Sequence, residues 1–136
     1  MYKKTLPPLS PEFCSLKEMF MKPQFIIGAA SSGSGKTTFT MGLLRALAHR
    51  GMRVQPYKCG PDYIDTQFHS LASKQVSVNL DTWLASEEHV RSLYHSYGKD
   101  ADVCTVEGVM GLYDGYSGMK GSSAAMAALL DIPVIL

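Results

Sequence analysis

The segment most informative about the fold reads Ala30-Ser31-Ser32-Gly33-Ser34-Gly35-Lys36-Thr37-Thr38. A short apolar run at 25–30 precedes it and predicts a buried strand, and apolar residues at helical spacing over 37–50 predict a helix after it. A turn rich in glycine and serine between a strand and a helix is typical of a P-loop, whose backbone N–H groups surround phosphate oxygens. The sequence therefore predicts a phosphate-binding site, although Ala30 stands where the usual pattern has glycine.

The side chains of this loop suit a nucleotide that is bound together with Mg²⁺. Lys36 can reach the β- and γ-phosphates, the Thr37 hydroxyl can bind Mg²⁺, and the positive end of the helix dipole favours an anion. The alternative is a serine- and glycine-rich linker that contains Gly-Lys-Thr by chance. The flanking strand and helix disfavour that alternative.

Strands and helices alternate along the chain from residue 24 onward. The pattern predicts strands at 25–30, 53–58, 102–106 and 132–136, and helices at 37–50, 65–74, 86–98 and 122–130. This order predicts an α/β fold, a mostly parallel sheet with helices on both faces. The last predicted strand runs to the end of the sequence, so we expect the sheet to be incomplete there. In the helix at 65–74, we expect Phe68 and Leu71 to form the buried side.

Composition limits the class of protein and its location. The 136 residues are 46% hydrophobic and carry a net charge of +1, so nucleic acid is not an expected partner. Residues 1–22, rich in Lys and Pro, are interpreted as a poorly ordered N-terminal extension of a domain at 23–136. Three scattered cysteines suit neither a disulfide framework nor a zinc site. No apolar run suits a membrane span or a signal peptide, so we expect a cytoplasmic protein.

Acidic residues follow two of the predicted strands. Glu107 ends a strand that we expect beside the P-loop strand, and from there it could reach Mg²⁺ or its bound water. The alternative is a solvated acid at a strand end. In the segment 58–65, Lys58 could add positive charge over phosphates, and Asp62 and Asp65 could bind metal or orient a nucleophile. The alternative there is an ordinary Gly-Pro-Asp turn with Asp65 as the helix N-cap.

The glycine-rich loop that begins at Gly108 is another candidate. Tyr113 and Asp114 could contact a substrate, because ligands bind at the carboxyl edge of such sheets, and a surface turn is the alternative. The four histidines show no metal-binding spacing, so we expect each of them on a helix surface. They are His49, His69, His89 and His95.

Together, these segments resemble the cobyrinic acid a,c-diamide synthase family. The resemblance rests on 30–38, 58–65, 79–81 and 107–115, and it covers nearly everything from about residue 24 to 136. It implies a P-loop fold similar to that of dethiobiotin synthetase and an ATP-dependent amidation of the a and c carboxylates of cobyrinic or hydrogenobyrinic acid. The carboxylate is phosphorylated, and ammonia derived from glutamine displaces the phosphate. The implied cofactors are ATP and Mg²⁺.

The resemblance also implies roles for individual residues and partners. Nucleotide-binding residues are Ser32, Gly33, Ser34, Gly35, Lys36, Thr37, Thr38 and Lys58; metal ligands are Thr37, Asp62 and Glu107; catalytic residues are Lys36, Asp62, Asp65, Glu107 and Asp114. Tyr63 and Ile64 are expected near the corrin carboxylate. A downstream amidotransferase domain would supply ammonia from glutamine, and a homodimer is expected. No cysteine here lies in a plausible nucleophile turn, so no glutaminase activity is assigned to this chain.

Three alternatives stay open at this point. Cobyric acid synthase and ligases similar to dethiobiotin synthetase use the same kind of sheet, but the segment 107–115 argues against both. A partitioning-type ATPase usually has an additional lysine near the start of the P-loop, and residues 29–32 here are Ala, Ala, Ser and Ser. The third alternative is an inert fragment whose sheet is too incomplete to bind a ligand.

Overall fold

A parallel sheet of five strands forms the centre of the computed structural model, which describes residues 22–136. The strands are β1 (Gln24–Ile27), β2 (Val54–Cys59), β3 (Val78–Leu80), β4 (Val103–Glu107) and β5 (Val134–Ile135). The helices are α1 (Lys36–His49), α2 (Asp65–Ser73), α3 (Glu87–Gly98) and α4 (Ser123–Leu130). The N-terminal extension expected at 1–22 lies, except for Lys22, outside the described residues.

The strand order is β3-β2-β4-β1-β5, and every pair of neighbours is parallel. The P-loop strand β1 therefore lies beside β4, with Ile27 in register with Glu107. The loops after β1, β2 and β4 consequently meet at one edge of the sheet, where α/β proteins bind ligands. The predicted α/β fold is confirmed.

Helices cover both faces of the sheet, as the sequence predicts. On one face, α1 and α2 pack over a small core that includes Leu44, Val54 and Val103. On the other face, α3 and α4 cover a larger core that includes Tyr57 and Tyr94. Side chains along β4 alternate between these two cores, so Thr105 and Glu107 point towards α1 and α2.

Two serines start helices as the sequence predicts. The Ser86 hydroxyl accepts a hydrogen bond from the His89 amide, and the Ser122 hydroxyl accepts one from the Ala125 amide. Each bond satisfies an amide at a helix start that would otherwise lack a partner. In the described part of the chain, no helix is both long enough and apolar enough to cross a membrane.

The structure differs from the sequence analysis in one strand and in the buried face of one helix. The three-residue strand β3 was not predicted, because three residues are too few to show an alternating pattern. In α2, Phe68 and Leu71 are 47% and 75% exposed, whereas His69 and Ser73 are buried. The helix therefore turns a polar face inward, towards the charged ends of β2 and β4.

Candidate nucleotide and metal site

The loop from β1 to α1 has the backbone of an anion-binding turn. Gly33 and Gly35 have φ angles of 75° and 87°, a left-handed conformation that glycine adopts without strain. The Ser34 hydroxyl donates to the Ser31 carbonyl over 2.7 Å and closes the turn. No side chain of the described residues caps α1, which leaves the amides of its first turn for an anion.

Lys36 lies between this loop and the loop after β4. Its Nζ donates a hydrogen bond over 2.6 Å to the carbonyl of Met110, which lies in the loop after β4. Met110 has a φ of 47°, which is uncommon for a residue with a side chain. The ammonium group is therefore held over the crevice between β1 and β4, where a nucleotide phosphate would lie.

Five polar side chains meet beside the P-loop, and we call them the carboxylate cluster. They are Thr37, Lys58, Asp65, His69 and Glu107. Glu107 lies at the centre, with its side chain fully buried. Its Oε1 accepts from Thr37 Oγ1 at 2.6 Å and from Lys58 Nζ at 2.9 Å, and its Oε2 lies 2.5 Å from His69 Nε2.

The sheet register and one helix turn explain why the cluster forms. Lys58 and Glu107 are paired in the register of β2 and β4, and both point towards α1 and α2. Asp65 and His69 are four residues apart on α2 and therefore share one helix face. The Lys58 ammonium also lies 2.8 Å from Asp65 Oδ2 and so bridges the two carboxylates.

Glu107 and Lys58 stabilise each other in their charged forms. Burial alone would raise the pKa of Glu107, but hydrogen bonds from His69 and Thr37 and the charge of Lys58 lower that pKa to about 2. Burial would likewise lower the pKa of Lys58, but the hydrogen bond to Asp65 and the charge of Glu107 raise it above its ordinary value. At neutral pH the site therefore contains carboxylate oxygens that can bind a cation.

Most of the predicted nucleotide and metal residues line one cleft of about 410 Å³. These predicted residues are Ser32, Gly33, Gly35, Lys36, Thr37, Thr38, Lys58, Asp62, Asp65 and Glu107. Ser34 lines the neighbouring crevice by α1. The cleft thus joins the P-loop to the carboxylate cluster.

Asp62 shapes the turn before α2. Its Oδ1 accepts hydrogen bonds from the amides of Ile64 and Asp65 at 2.9 and 3.0 Å. The alternative in which Asp65 is the N-cap is wrong, because Ile64 occupies that position and the Asp65 carboxylate binds Lys58. Asp62 lines the cleft, so its role as a metal ligand stays a prediction.

Three other residues predicted for the site do not line this cleft: Asp114, Tyr63 and Ile64. Asp114 Oδ2 accepts from the Gly111 amide at 2.9 Å and closes a turn in the loop after β4. Tyr63 and Ile64 are 71% and 69% exposed, between two residues that line the cleft. Their roles towards a substrate stay predictions.

His69 is the residue that sequence reasoning missed. The expectation of a surface position is wrong, because His69 is fully buried and contacts Glu107. The signal was available in its position four residues after Asp65, on the same face of a helix. Its neighbours Phe68 and Leu71, which were expected to be buried, obscured that signal.

The described residues contain no group of three or more His, Cys, Asp or Glu side chains arranged to hold a metal ion. Mg²⁺ bound with a nucleotide does not need such a group, because it keeps several waters and takes phosphate oxygens as ligands. One hydroxyl and one or two carboxylates are sufficient from the protein. The Thr37 hydroxyl offers one such oxygen, and the carboxylates of Glu107 and Asp65 each lie within hydrogen-bond distance of it.

Comparison with known proteins gives consistent matches. A family model described as the CobQ/CobB/MinD/ParA nucleotide binding domain matches residues 25–134. Cobyrinate a,c-diamide synthase of Dehalococcoides mccartyi (strain CBDB1) is 51% identical over 116 residues, which are 84% of this chain and 25% of the relative. The enzyme of the same name from Streptococcus sanguinis (strain SK36) is 53% identical over 118 residues, 83% of this chain and 26% of the relative.

A hydrogenobyrinate a,c-diamide synthase of Streptomyces coelicolor is 49% identical over 116 residues, which are 84% of this chain and 24% of the relative. The resemblance inferred from the sequence motifs is therefore confirmed. The chain spans about a quarter of the length of these curated relatives.

Proposed function

The chain belongs to the CobQ/CobB/MinD/ParA nucleotide-binding domain family, and from this we propose that it is the ATP-binding part of a cobyrinate or hydrogenobyrinate a,c-diamide synthase. One observation carries the proposal: the P-loop turn and four of the five residues of the carboxylate cluster line a single cleft. A phosphate-binding loop beside buried carboxylates is what the transfer of a phosphoryl group from a metal-bound nucleotide requires.

We propose that the P-loop amides and Lys36 hold the triphosphate of ATP. The amides of 33–38 would donate to phosphate oxygens, and the Lys36 ammonium would bind the β- and γ-phosphates. Lys58 adds a second positive charge to the wall of the cleft. These positive charges offset the repulsion between the γ-phosphate and an approaching carboxylate.

We propose that Thr37 and Glu107 hold Mg²⁺, with Asp62 as a further candidate ligand. The ion would neutralise charge on the phosphate oxygens as the phosphoryl group is transferred. Asp65 would keep Lys58 in place through its 2.8 Å ion pair. The negative charge of the two carboxylates would thus be offset by the Lys58 ammonium and by the bound cation.

The proposed chemistry activates a carboxylate of the corrin. A carboxylate oxygen attacks the γ-phosphorus, ADP leaves, and an acyl phosphate forms. Ammonia then attacks the carbonyl carbon, and phosphate leaves as the amide forms. We propose that Tyr63 and Ile64 contact the corrin where it enters the cleft, because both are exposed and lie in sequence between Asp62 and Asp65, which line the cleft. Asp114 is the candidate for handling the intermediate.

The remaining parts of the proposal concern partners and location. An amidotransferase domain outside this chain would release ammonia from glutamine, in line with relatives of which the match covers only about a quarter. We also propose a homodimer and a cytoplasmic location, which the resemblance to the family supports. A partitioning-type ATPase is the competing function, because the family model that matches this chain includes MinD and ParA.

Product analysis separates the two functions. The full-length protein that contains this chain is incubated with cobyrinic acid, ATP, Mg²⁺ and ammonia, and the corrin is examined by mass spectrometry. We expect diamide product and ADP, and a loss of at least about a hundredfold in rate for Lys36→Ala, since the P-loop lysine stabilises the transferred charge. Lys99→Ala, in an exposed residue after α3, is the matched control and should be unaffected. ATP hydrolysis without amide formation would favour the ATPase.

A further inference from the structure

His69 is the one member of the carboxylate cluster to which the proposed function gives no role. The ring is fully buried under α2, and its Nε2 lies 2.5 Å from Glu107 Oε2. On the other side, its Nδ1 lies 3.4 Å from the Ser77 hydroxyl. The ring therefore connects the end of β4 to the chain segment that leads into β3.

The two oxygens of Glu107 have different partners. Oε1 accepts from Thr37 and Lys58, whereas His69 is the partner of Oε2. An ionised carboxylate only accepts hydrogen bonds, so the proton in the contact with His69 belongs to Nε2. Nδ1 lies beside the Ser77 hydroxyl on the opposite side, so contacts at both nitrogens hold the orientation of the ring.

This arrangement restricts the rotation of the Glu107 carboxylate. If Oε2 is held by His69, Oε1 must stay beside the Thr37 hydroxyl, 2.6 Å away. Mg²⁺ demands nearly ideal octahedral geometry, so a ligand oxygen that is already oriented binds it better than one that rotates freely. Ser77 itself is held, because its amide donates to the Ser70 hydroxyl at 2.9 Å.

We propose that His69 is a positioning residue for Mg²⁺: it holds Oε2 of Glu107 so that Oε1 points to the P-loop threonine. The inference rests on the proposed nucleotide and metal site. A merely structural histidine would support the fold and affect ATP binding equally with and without Mg²⁺. A positioning histidine affects chiefly the dependence of ATP binding on Mg²⁺.

Three variants of the protein separate these roles. His69→Met keeps much of the volume but lacks a donor, His69→Gln keeps an N–H donor that can reach Oε2, and His89→Ala is a control at an exposed histidine. ATP binding is measured by calorimetry over a range of Mg²⁺ concentrations and in EDTA. We expect His69→Met to raise the half-maximal Mg²⁺ concentration about tenfold and His69→Gln to raise it less than about threefold, with ATP binding in EDTA unchanged in both.

An unchanged Mg²⁺ requirement for ATP binding in folded His69→Met would overturn the inference. An equal loss of ATP affinity with Mg²⁺ and in EDTA would also overturn it. If His69→Met does not fold, nitrogen NMR of the labelled wild-type histidine decides. A proton on Nε2 that persists in the Mg²⁺–ATP complex supports the inference, and an unprotonated Nε2 contradicts it. Wild-type protein that binds no ATP with Mg²⁺ would instead refute the proposed function on which the inference rests.

Discussion

Glu107 lies at the centre of the carboxylate cluster, and its burial is costly to the fold. A buried carboxylate loses its hydration, and only good partners offset that loss. Here the partners are the Lys58 ammonium, the Thr37 hydroxyl and the His69 ring. The sequence predicted Lys58, Thr37 and Glu107 from their motifs. It did not predict His69, because Phe68 and Leu71 were expected to form the buried side of the helix and the spacing of His69 from Asp65 was not used.

The lowered pKa of Glu107 predicts how stability depends on pH. The carboxyl has a pKa of 4.5 when unfolded and about 2 when folded, so its contribution to stability is complete above pH 4.5 and is lost as pH falls towards 2. The difference in unfolding free energy between wild type and Glu107→Gln should shrink by about 2 kcal/mol between pH 6 and pH 3.

Urea unfolding of both proteins at these two pH values, without Mg²⁺, measures that difference. The comparison with Glu107→Gln isolates Glu107, because the other carboxyl groups titrate in both proteins. A difference that is constant with pH would mean that Glu107 has an ordinary pKa in the folded protein.

The starts and types of the helices were easier to predict from sequence than the face that each helix buries. Ser86 and Ser122 start α3 and α4 as expected, because the serine side chain caps a helix through local bonds. The inward face of α2 was not predictable from hydrophobicity. This face is determined by the contacts of Asp65 with Lys58 and of His69 with Glu107, and both partners lie on strands of the sheet. The strand β3 exists through pairing with β2, which is also a long-range effect.

The junction of β1, β4 and α4 should not accept a side chain at Gly108. A Cβ there would clash with Ser123 Oγ and lie 2.9 Å from the Ile27 carbonyl oxygen. We expect Gly108→Ala to lower the unfolding free energy by about 2–3 kcal/mol through overpacking. Chemical denaturation measures this effect.

Gly42→Ala is the matched control for that prediction. Gly42 lies in α1, and a Cβ there would meet nothing within 4 Å. Alanine favours a helix over glycine, so this variant should be more stable than wild type by about 0.5–1 kcal/mol. Equal effects of the two substitutions would contradict the packing described for the junction.

The sheet separates a mainly apolar face of the molecule from a face that also contains charged side chains. The face under α3 and α4 contains a continuous apolar core, whereas the face under α1 and α2 combines a small core with the carboxylate cluster. The alternation of strands and helices predicted this layered architecture. The position of β4 beside the P-loop strand β1 was expected and is confirmed. The rest of the strand order was not predictable, because it depends on contacts between distant segments.

The thiols on the apolar face should be inert in the folded protein. Burial raises the pKa of Cys59 to about 12, and burial also raises the pKa of Cys104. At pH 8 the thiolate fraction of Cys59 should be about a thousandfold below that of an exposed cysteine. Alkylation with iodoacetamide, followed by peptide mapping, should label both residues only after unfolding. Rapid labelling of native protein at either site would contradict the described core.

The account depends most on nucleotide phosphates at the start of α1. A crystal structure with Mg²⁺ and a non-hydrolysable ATP analogue tests this directly. We predict phosphate oxygens within about 3 Å of the amides of 33–38 and of Lys36 Nζ, as hydrogen bonding requires. The structure should also show Mg²⁺ next to Thr37 and Glu107. A nucleotide bound elsewhere, or P-loop amides bound to protein groups while the cleft stays empty, would contradict the account.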